Sequence, residues 1–218
     1  MEKAKQVFQG IYGMMWEKPR IKEASIRKGN TALIIMDMVN GFVREGAMKN
    51  ELAEEIIEPI VDLMGYFKGN GMPIVAFADC HDENSPEFER YEKHCVKGTS
   101  EAEIVDEIKQ AGGYTLINKN STNAVLEEEF QQWLKDNPEI TDFIVTGVCT
   151  DICVMQFCLT LRAWFDKNGK KSRFILPLNM VETYDYRAHQ ITLINTMAVY
   201  FIEQSGAEIC SDLNLLKL

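Results

Sequence analysis

A chain of 218 residues, 46% hydrophobic and 26% charged, suits one globular domain with a sizeable core. Its formal charge of −10 argues against nucleic acid or anionic lipid as the main partner, because both reward clustered lysine and arginine. No apolar run approaches the roughly 20 residues needed to span a bilayer.

The start, Met1-Glu2-Lys3-Ala4-Lys5, lacks the apolar core of a secretory signal. The protein is therefore expected in the cytoplasm, acting on a small molecule, with its six cysteines reduced. Residues 1–30 mix charge with Ile11, Tyr12, Met14, Met15 and Trp16 and read as an irregular N-terminal arm. The organised domain is expected to be 31–218. It begins with a near-continuous apolar run, Leu33-Ile34-Ile35-Met36, ending at Asp37, the pattern of a strand buried on both faces of a parallel sheet. Helical spacing follows at Leu52, Ile56, Ile57, Ile60, Val61 and Met64. A second strand is predicted at 73–79, ending at Asp79.

Residues 80–100 form a polar stretch too long for an ordinary connection, and such loops are usually functional or disordered. Beyond it the pattern predicts helix at 101–110, strand at 114–117, helix at 124–135, strand at 142–146, helix at 151–166, strand at 172–177, helix at 188–204 and a short strand at 208–210. Alternating strands and helices imply right-handed crossovers. The expected fold is a three-layer α/β/α, Rossmann-like domain around a mainly parallel six-stranded sheet.

Ligands in such sheets sit at the carboxyl ends of the strands. Asp37, Asp79, Lys119 and the turn at 149–153 all fall there. No GxGxxG or GxxxxGK[ST] loop is present, which disfavours a nucleotide cradle. Cys153, Lys119 and Asp37 together would make a working nucleophile: the cation and the helix start favour thiolate, and the carboxylate accepts and returns the proton. Each residue alone has a plainer reading. Cysteine is often a small core hydrophobe, Lys119 could be a solvated loop residue, and Asp37 a cap or the partner in a simple rim ion pair. Cys158 and Cys210 read as packing residues, and His189, opening the last helix, as a capping or packing residue. Asp79, His81, Glu87 and His94 offer two carboxylates and two imidazoles, a set that suits Zn²⁺ or another divalent first-row ion. Cys80 should point to the face of the strand end opposite Asp79 and His81.

Three segments resemble the signature segments of the isochorismatase-like cysteine hydrolases: Leu33 to Phe42 around Asp37, Ile117 to Ala124 around Lys119, and Thr146 to Val154 around Cys153. They occur in the family's order, and the similarity runs from about residue 31 to 212. The resemblance implies that Cys153 is the nucleophile, Asp37 the general base and then acid, and Lys119 the cation that lowers the thiol pKa. It implies a cis peptide at Val148–Cys149 and an oxyanion hole from the backbone N–H groups of Cys149 and Cys153. Cys149 contributes its backbone only. A thiol at 153 implies an amidase rather than a vinyl-ether hydrolase.

The segment around Asp79-Cys80-His81 and His94-Cys95-Val96 is similar to that of nicotinamidases, with Ser85-Pro86-Glu87 supplying a fourth ligand. There the metal, Zn²⁺ before Fe²⁺ or Mn²⁺, binds the pyridine nitrogen and so places the carboxamide. Phe42 and Tyr91 would wall the substrate ring. The function implied is a metal-dependent nicotinamidase in NAD salvage, acting as a homo-oligomer. The alternative is a related amidase for an aliphatic amide, ureide or carbamoyl compound. A non-catalytic zinc or redox module has no use for Asp37 and Lys119.

Overall fold

The computed structural model describes residues 2–214; the last four residues of the 31–218 domain lie outside them. The chain opens with α1 (Glu2–Trp16) and β1 (Ile21–Lys22). It continues through β2 (Thr31–Met36), α2 (Asn40–Val43), α3 (Ile57–Gly69), β3 (Ile74–Asp79), α4 (Asp106–Ala111), β4 (Thr115–Lys119), α5 (Glu128–Asp136) and β5 (Asp142–Val148). The remaining elements are α6 (Met155–Lys167), β6 (Arg173–Pro177), β7 (Val181–Glu182), α7 (Ile191–Gln204), β8 (Glu208–Cys210) and β9 (Leu213–Asn214).

The main sheet has the order β4-β3-β2-β5-β6-β8, all parallel, and β7 pairs with β5 beyond β6. Among the described residues the sheet thus has seven strands rather than the expected six. The extra one is two residues long, too short to leave a hydrophobic pattern. β1 and β9 form a separate parallel pair. Chain order runs outward from β2 on one side and from β5 on the other, so the topological switch point lies between their carboxyl ends. Open sheets of this kind hold their ligands in that crevice.

β2, β3 and β5 are buried along their whole length. One face packs Leu33, Ile35 and Ile144 against Ile60, Leu63 and Phe67 of α3. The other packs Ile34, Phe77 and Phe143 against Phe130 of α5, Phe157 of α6 and Ile202 of α7. These are the two covered faces that all-apolar strands require.

Residues 2–16 are helical where an irregular arm is expected. Gly10 and Gly13 dilute the periodicity, and the helix is stabilised by docking beside α7, with Met15 buried. Two expected helices are shorter. Ile104 makes an antiparallel bridge with Val39 and delays α4 to Asp106. A 3-10 turn, Ala124–Leu126, precedes α5. Before α6, residues Thr150–Val154 form a widened π turn, a feature frequent at functional sites. Among the described residues, no helix is long and apolar enough to cross a membrane.

Candidate active site

The switch-point crevice gathers residues from four strand ends. Asp37, the first residue after β2, takes a left-handed φ of 52° and is fully buried. Lys119, the last residue of β4, is also buried. Its Nζ lies 3.0 Å from Asp37 Oδ2 and 3.6 Å from Cys153 Sγ, and it donates to Asp79 Oδ1 at 2.5 Å and to the Ser121 carbonyl at 3.1 Å. The three residues that the sequence nominates for nucleophilic chemistry therefore converge. The link to Asp79 is not visible in the sequence. It follows from strand register, because Asp79 and Lys119 are paired neighbours on β3 and β4.

Close packing of β2 against β5 brings the thiol to this corner. Gly147 has φ +103°, and a Cβ there would meet the Met36 carbonyl oxygen at 2.0 Å, so only glycine fits. The next peptide, Val148–Cys149, is cis. The amides of Ile152 and Val154 both donate to the Cys149 carbonyl, at 3.1 and 3.2 Å, closing the turn that presents Cys153.

Electrostatically the corner is short of positive charge: two buried carboxylates share one ammonium. Burial pushes the Asp37 carboxyl up to about 7, against the pull of Lys119 and with the help of Asp79. Its compensation is the ammonium 3.0 Å away and the Cys153 thiol, both of which favour the ionised form. Burial acts on Asp79 in the same direction, but Lys119 and hydrogen bonds from His81 and His94 outweigh it and hold that carboxyl well below the usual range. Lys119 is held charged because its two carboxylates outweigh its own burial. Burial pushes the Cys153 thiol up, with Asp37 and Asp79 on the same side, while Lys119 pulls it down, the direction expected of that cation. A neighbouring base that takes the proton works with Lys119 against burial.

The four candidate metal ligands come together and all are buried, with one donor atom from each within 4.8 Å of the others. His81 Nε2 and His94 Nε2 each lie 3.1 Å from Asp79 Oδ2, and His81 Nε2 lies 3.9 Å from Glu87 Oε1. The outer nitrogens are engaged elsewhere: His81 Nδ1 is 3.0 Å from Asn120 Oδ1 and His94 Nδ1 is 2.7 Å from the Glu92 carbonyl. Both rings therefore turn Nε2 inward toward carboxylate oxygen while an outer partner holds the other nitrogen, the orientation of a metal-ligating imidazole. Metal–ligand bonds of about 2.1 Å put ligand atoms on the order of 3–3.5 Å apart; both imidazoles meet Asp79 at such a spacing, and Glu87 stands somewhat farther out. The donor set fits a divalent ion. Cys80 takes no part; its amide donates to the Lys119 carbonyl at 2.9 Å.

Phe42 and Tyr91 both flank the cluster, with ring centroids 5.4 and 6.5 Å from that of His94. Phe42 is set by α2, whose Asn40 is tied to the Glu103 and Ser100 carbonyls. Sequence reasoning misses Phe88, whose ring lies 5.3 Å from His81 and 5.6 Å from His94, and Asn120. Adjacency to Lys119 and to the metal segment is the only signal that either carries.

Comparison with known proteins gives the family. The isochorismatase domain pattern matches residues 31–163, more than half of the chain. The chain belongs to the isochorismatase family. It is accordingly an enzyme, an amidohydrolase. Nicotinamidase 1 of Arabidopsis thaliana is 28% identical over 218 aligned positions, covering 86% of this chain and 88% of that protein. The fold is shared with N-carbamoylsarcosine amidase from Thermoplasma acidophilum, at a TM-score of 0.71 and 23% identity over 87% of this chain and 99% of the other. It is shared too with a zinc complex of the pyrazinamidase of Pyrococcus horikoshii, at a TM-score of 0.66 and 22% identity over 83% and 98%.

Proposed function

We propose that this isochorismatase-family enzyme is a metal-dependent nicotinamidase, converting nicotinamide and water to nicotinate and ammonia through a thioester on Cys153. The observation that carries the reading is the buried Asp79, His81, Glu87 and His94 cluster, joined to the thiol corner through the bond from Lys119 to Asp79. An amidase for small aliphatic amides needs no such cluster beside its nucleophile. The ligands would hold a divalent ion, Zn²⁺ first and Fe²⁺ or Mn²⁺ next, whose role is to bind a ring nitrogen and fix the amide over the thiol.

The chain's own groups carry the chemistry. Asp37 takes the Cys153 proton, and the sulfur attacks the carboxamide carbon. The charge that develops on oxygen is met by the backbone N–H groups of Cys149 and Cys153. As the tetrahedral adduct collapses, Asp37 returns the proton to the leaving nitrogen and ammonia departs. Asp37 then deprotonates water, which attacks the thioester, and the proton passes back to sulfur as nicotinate leaves. Lys119 stays charged and balances whichever of Asp37 and Cys153 is anionic. Phe42, Tyr91 and Phe88 supply the apolar walls for a flat ring. With this reading go a cytoplasmic place in NAD salvage and assembly as a homo-oligomer.

Ammonia release from nicotinamide tests it. Cys153→Ala is expected to lower the rate by about 10⁴-fold or more, and a chelator to abolish turnover until a divalent ion is returned. Chelator-resistant ammonia release from an aliphatic or carbamoyl amide, with none from nicotinamide, would assign the alternative substrate class.

A further inference from the structure

His189 precedes α7 but does not cap it, since the Gln190 side chain accepts from the Leu193 amide. It turns instead toward the nucleophile turn. His189 Nε2 lies 2.9 Å from Asp151 Oδ2, and Nδ1 lies 2.9 Å from the Tyr184 carbonyl. Both ring nitrogens are thus engaged by oxygens that only accept. The imidazole also stacks on the Tyr184 ring, with centroids 3.9 Å apart and planes within 7°. On its other oxygen Asp151 accepts a short hydrogen bond from Thr183 Oγ1. The pair is mostly withdrawn from solvent, with side chains 18% and 14% exposed.

Asp151 lies midway between Cys149 and Cys153 in the π turn. Thr183 and Tyr184 directly follow β7, which pairs with β5 at Gly147 and Val148. From there the chain makes a tight return, bridged at Tyr186 and His189. Asp151 therefore anchors the segment 183–190 to the nucleophile turn at two points. Tyr184 is placed where Cys149, Asp151 and Tyr91 all act on its hydroxyl, and Tyr91 where Cys153 and Asp151 do. Both tyrosines thus lie near the nucleophile turn.

From this geometry we infer that His189 is a positioning residue: through Asp151 it sets the nucleophile turn, and through its stack on Tyr184 it holds a wall of the substrate pocket beside that turn. The wall half of the inference rests on the nicotinamidase reading. The turn half does not, because it concerns the reactivity of Cys153 in the free enzyme.

The experiment follows two quantities in the metal-loaded protein: the rate at which iodoacetamide alkylates Cys153, read by peptide mass spectrometry, and kcat and KM for nicotinamide. His189→Ala is expected to slow alkylation about fivefold, the factor that one lost hydrogen bond is worth, and to raise KM. His189→Gln, whose amide reaches Asp151, should alkylate within about twofold of the parent on the same scale. Asp151→Asn combined with His189→Ala should be no slower than Asp151→Asn alone. Tyr184→Ala should raise KM and leave alkylation unchanged. His189→Asn, too short to reach Asp151, replaces the alanine variant if that fails to fold. The inference is overturned if His189→Ala alkylates at the parental rate, if glutamine is as damaging as alanine, or if the Asp151 and His189 effects add. If the parent protein does not hydrolyse nicotinamide, the substrate assignment falls while the alkylation arms still decide the turn.

Discussion

Asp37 and Asp79 make a natural experiment within one crevice. Each follows or ends a parallel strand, each is buried, and each lies within 3.0 Å of the same ammonium. Yet one carboxyl is pushed up to about 7 and the other held far down. The difference is the number of donors. Asp79 accepts from Lys119 on one oxygen and faces two imidazoles on the other; Asp37 has the ammonium and one weak thiol donor, Cys153. Hydrogen bonds to the charged form lower a carboxyl pKa, and desolvation without them raises it. The same residue type thereby stays an anion at one corner, as the proposed metal site requires, and titrates near neutrality at the other, as the proposed base requires.

Removing the shared cation is the harshest test of this pairing. Lys119→Met leaves both carboxylates buried without an ammonium, and we expect a loss of about 3–5 kcal/mol in folding stability by denaturant titration at pH 8, together with loss of turnover. A variant as stable as the parent would mean that the two acids do not depend on Lys119.

A gentler change separates the corners. Asn120→Ala removes the oxygen facing His81 Nδ1, and loss of such an outer-shell partner weakens metal binding by about 10–100-fold. Competition with a metallochromic dye should show that weakening while the iodoacetamide rate at Cys153 stays unchanged. Equal damage to both would argue that the corners are one unit.

The smallest expected effect is in pH dependence. Because the proposed base must be ionised, kcat/KM should rise about tenfold per pH unit up to an apparent pKa near 7, rather than levelling off near 4. The sign for stability is opposite. A carboxyl raised on folding favours the folded state fully below its unfolded value of 3.8 and loses that contribution as pH rises through about 7. A rate profile flat between pH 5 and 8 would contradict the assignment of Asp37 as base.

Much of this was legible in the chain itself. The buried strands announce themselves as unbroken apolar runs, and Asp37, Asp79, Lys119 and Cys153 follow or end them, or lie in the turn beyond. The four metal candidates lie close enough in sequence to be grouped. The hidden features depend on which segments become neighbours. The Asp79 to Lys119 bond depends on the register of two strands forty residues apart. The upward push on the Cys153 thiol comes from burial and two carboxylates against one cation, whereas the local motif suggests only the cation. His189, read from its place before a helix as a cap, finds its partner Asp151 thirty-eight residues upstream. α1 is stabilised by α7, and its own glycines argue against helix.

The most direct measurement is acid quenching during nicotinamide turnover, followed by peptide mass spectrometry. A nicotinoyl adduct on the peptide carrying Cys153, absent in Asp37→Asn, is the expected result. An unmodified Cys153 at every quench time, with ammonia still released at the parental rate, would contradict the thioester on which this account rests.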